Sequence, residues 1–260
     1  MKLADLIGSL GAENAPKKKQ LSRRVSGLER IMKAYTALVE HKQTYNPLID
    51  FDTRAEDVET FANMLHLLPI YSAKIDKEEY FKTAFLNKVI LACVDKRIDI
   101  APKYRLYGLL SGPKWDDVKK DWVRSTLYAY EGQPKIIVRG ALDGRCFSFM
   151  KKGIAHVYGN AMDYFGEHMK DGELTIHGSV NNRAGTEMTG GILRITGRAG
   201  KDLASLAKGG TVYAKSAQTF GYKAAPNVTF HLQEPSTMSL DCQATVYIAG
   251  KKVMERGKNV

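Results

Sequence analysis

The stretch GNAMDYFGEHMKDGELTIHG, residues 159–178, is followed at once by a phrase of the same build, GSVNNRAGTEMTGGILRITG, residues 178–197, and then by GRAGKDLASLAKGGTVYAKS, residues 197–216. Gly140, Gly159, Gly178 and Gly197 lie 19 residues apart, and so do Gly153, Gly172, Gly191 and Gly210. Gly166 and Gly185 keep the same step, as do Met150, Met169 and Met188, with Ala207 next. Independent columns in one register mark a repeat architecture rather than a single globular core.

The apolar columns identify the repeat. Ala155, Leu174, Leu193 and Val212 align, and two residues on so do Val157, Ile176, Ile195 and Ala214. Between them lie His156, Thr175, Arg194 and Tyr213. That alternation is a strand with one face inward. Further inward columns are Leu142, Ala161, Val180, Ala199 and Cys146, Phe165, Ala184, Leu203. One unit cannot bury its own apolar face, but stacked coils can, each pairing its backbone with the next. The spacing predicts a parallel β-helix whose strands cover 136–138, 155–157, 174–176, 193–195 and 212–214. The glycines serve sharp turns and close backbone contacts, and the methionines fill interior space. Phe230 and Leu232 join the Val212 and Ala214 columns only if that coil is one residue shorter.

Upstream the period changes. Leu21, Val25, Leu28, Met32, Tyr35 and Leu38 recur at three and four, one face of a helix. Thr53 and Glu56 have capping-box spacing before the stripe Val58, Phe61, Leu65, Leu68, which Pro69 ends. Asp76 and Glu79 repeat that spacing before Tyr80, Ala84, Phe85, Val89 and Ala92. The expected class is therefore α+β: a mostly helical part over 1–120, a β-helix over 121–235, and a cap or strand pair over 236–260. Helices are expected to cover the first coil near Val123 and Leu127.

Hydrophobic residues make up 44% of the 260, enough for a real core, and no run approaches the length of about 18 apolar residues that spans a membrane. The start of the chain carries acids and lacks a signal-peptide core, so a soluble, cytoplasmic protein without membrane association is expected. Cys93, Cys146 and Cys242 are odd in number and far apart, which argues against disulfides and zinc. The net charge of +11 divides into +5 over residues 1–120 and +6 over 121–260, with the densest cluster, KKKQLSRR, at 17–24. Such a run either meets phosphates or is a solvated segment.

These residues resemble a known family. GNAMDYFGEHMKDG is similar to the repeat of the GXGXG domain at the C-terminus of the glutamate synthase large subunit. GSVNNRAGTEMTGGILRITGRAG equally resembles the formylmethanofuran dehydrogenase chain that shares that fold. Gly159, Asp163, Gly166, Met169, Gly172 and Gly178 fall at the family's spacing, and the likeness covers about residues 125–235. It implies a right-handed β-helix that is not a catalytic centre but braces other domains or subunits. The helical half is unlike either enzyme.

Chemistry-bearing motifs are sparse. His41, His66, His156, His168, His177 and His231 form no metal-binding spacing. Asp163, Glu167, Asp171 and Glu173 read as solvated turn acids. No catalytic residue, metal or cofactor is expected. One surface stands out: Arg139, Tyr158, His177, Thr196 and Lys215 form an outward column beside Ile137, His156, Thr175, Arg194 and Tyr213. A sheet of basic and aromatic side chains suits a protein interface and nucleic-acid stacking alike. The sequence leaves three classes open: a non-catalytic assembly module that docks a partner protein or enzyme subunit, a basic nucleic-acid- or ribosome-binding protein, and a small enzyme with a site between the two halves. The candidate interaction face is Arg139, His156, Tyr158, His177, Arg194, Tyr213 and Lys215.

Overall fold

The computed structural model describes residues 18–40, 49–68, 78–103, 105–110, 114–116, 121–123, 130–132 and 134–260. Lys17, Pro69, Asp76 and Leu127, on which expectations from the sequence rest, lie outside them. Three helices come first: α1 (Lys18–Glu40), α2 (Ala55–Met64), extended by a 3-10 turn at Leu65–Leu67, and α3 (Glu78–Leu91). Their apolar stripes meet. Tyr35, Phe61 and Phe85 are buried with ring centroids 5.2–5.8 Å apart, tilted or edge-on as ring quadrupoles favour. Gly27 of α1 leaves room for the Asp57 carboxylate of α2, which would collide with any Cβ there.

The capping box is a correction. The Thr53 hydroxyl donates to Val89 O (2.8 Å), and its backbone bridges Cys93. Helix α2 starts at Ala55, whose N–H donates to Asp95 Oδ2 (2.7 Å). The helix start is thus satisfied by a carboxylate 40 residues away, because Thr53 is already committed to α3.

The strands are β1 (Arg97–Ile100), β2 (Lys114–Asp116), β3 (Asp121–Val123), β4 (Lys135–Arg139), β5 (Ile154–Tyr158), β6 (Glu173–Ile176), β7 (Ile192–Ala199), β8 (Gly210–Ala217), β9 (Thr219–Phe220), β10 (Val228–Leu232), β11 (Thr237–Met238), β12 (Thr245–Ile248), β13 (Lys251–Glu255) and β14 (Lys258–Asn259). Ten form one sheet in the order β1-β4-β5-β6-β7-β8-β10-β12-β13-β14. From β1 to β12 every pairing in it is parallel, making a β-solenoid of about six turns with coils of about 19 residues. The predicted register holds: Ile136, Ala155, Leu174, Leu193 and Val212 lie opposite one another in turn. Phe230 faces Val212 across the shorter coil. A second wall is bridged through Leu142, Ala161, Val180 and Ala199. Cys146, Phe165, Ala184 and Leu203 are buried, and Met150, Met169 and Met188 are fully enclosed. The cysteines carry no disulfide, and burial pushes the Cys146 thiol up to about 12.

Gly172 and Gly178 show the two demands made on the glycines. Gly172 has φ +91°, and a Cβ there would lie 2.6 Å from Gly153 O. Gly178 lies outside the left-handed region, but its Cβ would enter the van der Waals shell of Gly159 O one coil below. Left-handed backbone is not confined to glycine, however. Each coil has one turn with alternate residues at positive φ, among them Tyr164, His168, Arg183 and Glu187. Intercoil hydrogen bonds hold them: Tyr164 N–H donates to Asn182 O (3.0 Å) and His168 N–H to Thr186 O (2.8 Å). Side chains add ladders of their own. Ser179 N–H donates to Asn160 Oδ1 (2.8 Å), Asn182 N–H to Asp163 Oδ1 (2.9 Å), and Lys201 N–H to Asn182 Oδ1 (2.9 Å), each 19 residues on.

The sheet begins earlier than the repeat. Ile98 of β1 pairs with Ile136, two periods away, and β2 and β3 form an antiparallel hairpin within that long first coil. Val123 therefore belongs to the hairpin and not to the first rung. Helix α2 packs on β1, where Asp99 N–H donates to Glu59 Oε1 (2.8 Å). Asn87 of α3, fully buried, donates to Gly108 O (3.1 Å) and accepts from Leu110 N–H (2.7 Å). One apolar core runs from Ile31 of α1 to Met254 of β13. At the far end β13 reverses direction against β12, and β14 against β13.

Candidate docking face on the outward sheet

In-register parallel strands bring residues of successive coils to about 4.8 Å, so outward side chains of one column stack. The column through Ile137, His156, Thr175, Arg194 and Tyr213 continues into His231 and Tyr247. The Arg194 guanidinium lies 4.2 Å over the Tyr213 ring, Tyr213 stacks on His231 at 4.7 Å, and His231 on Tyr247 at 4.7 Å. In the neighbouring column Arg139 lies 5.3 Å over Tyr158, which stacks on His177 at 4.2 Å and 6°. His156 lies 5.7 Å from His177.

Four cations on this face are paired with carboxylates. Arg139 donates from Nε and Nη2 to Asp99, both at 2.9 Å, and this fork holds the Asp99 carboxyl below its ordinary range. Arg194 Nε donates to Glu173 Oε1 (2.9 Å). Lys215 pairs with Glu234 and Lys252 with Glu255, both at 3.3 Å. The structure thus brings all seven candidate residues onto one face but alters their expected availability. Tyr213 has Arg194 on one face and His231 on the other, so it offers no free surface to a base. Ile137 and Thr175, expected outward and open, are buried, and Arg194 reaches past Thr175 to Glu173.

Burial, with Lys135 and then His177 nearby, holds His156 below its ordinary 6.5. Burial and then Arg194 do the same to His231. His156 Nδ1 and Thr175 Oγ1, in register on adjacent strands, are buried without a hydrogen-bond partner. A cavity of about 440 Å³ opens along the second ladder, lined by Arg194, Thr196, Tyr213, His231, Gln233 and Gly250 among others.

The turn acids divide. Asp163 and Asp171 accept backbone N–H groups, and Glu173 holds Arg194. Glu167 is a correction: it is 1% exposed and takes Arg145 Nη1 at 2.7 Å. His168 lies between Glu167 (3.8 Å) and Glu187 (3.5 Å) and stacks on Phe149 at 4.6 Å. His168 and Glu187 align one coil apart, a signal present in the 19-residue register. These contacts form an ion cluster around Glu167. Among the described residues no group of three His, Cys, Asp or Glu is placed to hold a metal ion, and no helix is long and apolar enough to cross a membrane. In the basic run at 17–24 the backbone is helical from Lys18. No protein-family model, curated protein or solved structure matches the chain.

Proposed function

We propose that this chain is a non-catalytic assembly module of the cytoplasm that docks a partner protein through the outward face of its solenoid. The observation that carries the reading is the stacked and charge-matched ladder from Arg194 to Tyr247. Stacking restrains its rings, which lowers the entropy lost when a partner meets them. Such preorganised amphipathic anchors suit protein recognition. The same features disfavour the nucleic-acid reading, since paired cations release fewer counterions and enclosed rings cannot take bases. Motif likeness to the GXGXG repeat supports the same role, because in those enzymes the solenoid braces other parts. The test is purification of the tagged full-length protein from its own cells after nuclease treatment. A stoichiometric protein partner, lost when Tyr213 and His231 are both replaced by Ala, is the expected result. Association that disappears with nuclease would contradict it.

A further inference from the structure

The cavity of about 440 Å³ beside the second ladder is lined by Arg194 and Thr196 of β7, Tyr213 of β8, His231 of β10, and Gln233 and Gly250 in the loops that follow. Arg194, Tyr213 and His231 stack in successive coils along it. Thr196 and Gln233 stand two residues further on in the first and last of those coils. Strand β7 bulges there, with Thr196 and Gly197 opposite Lys215 alone, and Lys215 itself pairs with Glu234 and is no part of the lining. At Gly250 the space beside the Cα is open. Much of the polar capacity in this lining is unused. Arg194 gives its Nε–H to Glu173, and no described residue accepts from its Nη groups. Glu173 pairs with Ile192, two residues before Arg194, whereas Thr196 of the cavity lies two residues after it. A planar guanidinium held through Nε on one side offers its Nη end to a second acceptor. The Thr196 and Tyr213 hydroxyls, the His231 imidazole and the Gln233 amide likewise make no hydrogen bond to a described residue, and none of these atoms is buried from solvent.

We propose that this cavity binds a small monocarboxylic acid. The carboxylate takes the Nη groups of Arg194, and the other end of the ligand meets the Tyr213 hydroxyl, the His231 ring and the Gln233 amide. The volume of about 440 Å³ falls within the range of about 300 to 1,000 Å³ that small-molecule sites occupy, and such sites carry a few convergent polar groups. Charge sets the ligand class. Glu173 already shares the charge of Arg194, so the site suits one negative charge and its carboxylate repels a second. A phosphate dianion is therefore disfavoured, while a planar carboxylate matches the guanidinium edge. Burial, and then Arg194, keep the His231 imidazole below its ordinary 6.5, so near neutral pH it has one N–H to donate and one nitrogen to accept. An acidic side chain of a docked protein would fill only a small part of this volume, which points to a free acid. The site stands apart from the docking reading, because it needs no partner protein.

The probe is 4-hydroxybenzoate, titrated into the purified full-length protein while the imidazole C–H resonances of His231 are followed by NMR. A saturable shift is expected, together with a rise in the His231 pKa at saturation, because a bound anion favours the imidazolium. Neutral 4-hydroxybenzamide should bind at least about tenfold more weakly, as should acetate, which carries the carboxylate without the rest of the ligand. Arg194→Gln should weaken the probe by about tenfold and Gln233→Ala by about threefold. Gln233 is exposed, so its replacement leaves the fold intact. The ring-current position of His231, which lies between Tyr213 and Tyr247, reports in each variant whether the ladder has survived. Should Arg194→Gln lose the ladder, Gln233→Ala decides. Absence of a saturable His231 shift would overturn the proposal. So would an equal response to the benzamide, tighter binding of inorganic phosphate, or unchanged affinity in Gln233→Ala. Acetate binding as tightly as the probe would overturn it too, since a lone carboxylate such as a partner's side chain would then satisfy the site. Partner capture takes no part in these measurements, so this proposal and the docking reading fail separately.

Discussion

Gly172 and Gly250 have similar left-handed backbones, φ +91° and +79°, in opposite surroundings. At Gly172 a Cβ meets Gly153 O at 2.6 Å and the Met150 methyl at 2.7 Å, whereas at Gly250 it meets nothing within 4 Å. Gly250→Ala should cost about 1 kcal/mol, the strain of a left-handed alanine, while Gly172→Ala should cost about 3 kcal/mol because backbone must also move. Urea midpoints of the two variants decide it, and equal losses would mean that close approach of the coils is unimportant. His156 and His231 make the fold acid-sensitive. Their folded pKa values lie below 6.5, so as pH falls through 6.5 the unfolded chain takes up protons that the native ladder resists. Stability is therefore full above that value and declines below it, well before the carboxylate range. Replacing both histidines by asparagine should flatten the urea midpoint between about pH 7.5 and 5.5; an unchanged pH slope would exclude them as the cause. The 19-residue columns made the glycines, the methionines and the ladder as far as Tyr213 readable from sequence, but not its continuation into His231 and Tyr247. The left-handed Tyr164 and His168 were not, because intercoil hydrogen bonds, and not side-chain type, select that backbone.

At the scale of elements, the five predicted strands fall in register because alternation and period agreed at every coil. Strand β1 escaped notice: it stands two periods from Ile136, with the β2–β3 hairpin inside the gap. The cap of α2 escaped for a related reason. Thr53 and Glu56 have the right local spacing, yet the start of the helix is satisfied by Asp95, which no local pattern reveals. That hydrogen bond from Ala55, and then the Arg54 guanidinium, hold the Asp95 carboxyl below its ordinary 3.8. Asp95→Ala should destabilise the protein by about 1 kcal/mol, as loss of a helix cap does. A thermal midpoint unchanged in Asp95→Ala would contradict this cap.

At the scale of the molecule, the helices and the solenoid share one core, and α2 and α3 lie against β1 and the loop that follows it. Open solenoid ends invite association unless covered. Removal of residues 1–96 should therefore give material that self-associates, and a monomeric, well-folded 97–260 fragment would show the helices to be an independent module. The outward face is where sequence and structure diverge most. Its residues were readable as two columns, but their stacking and their pairing with Asp99, Glu173 and Glu234 were not, since those partners lie outside the columns. That pairing underlies the central claim, that the face is built to meet protein and not polyanion. The most direct measurement is a fluorescence titration of the full-length protein with a single-stranded oligonucleotide at about 50 and 200 mM salt, repeated with Tyr213→Ala. The account predicts weak binding, with a dissociation constant of about 10⁻⁶ M or higher at the upper salt and the same value in the variant. Tight binding that persists at that salt and falls by about tenfold or more in Tyr213→Ala, as loss of a base-stacking ring requires, would contradict it.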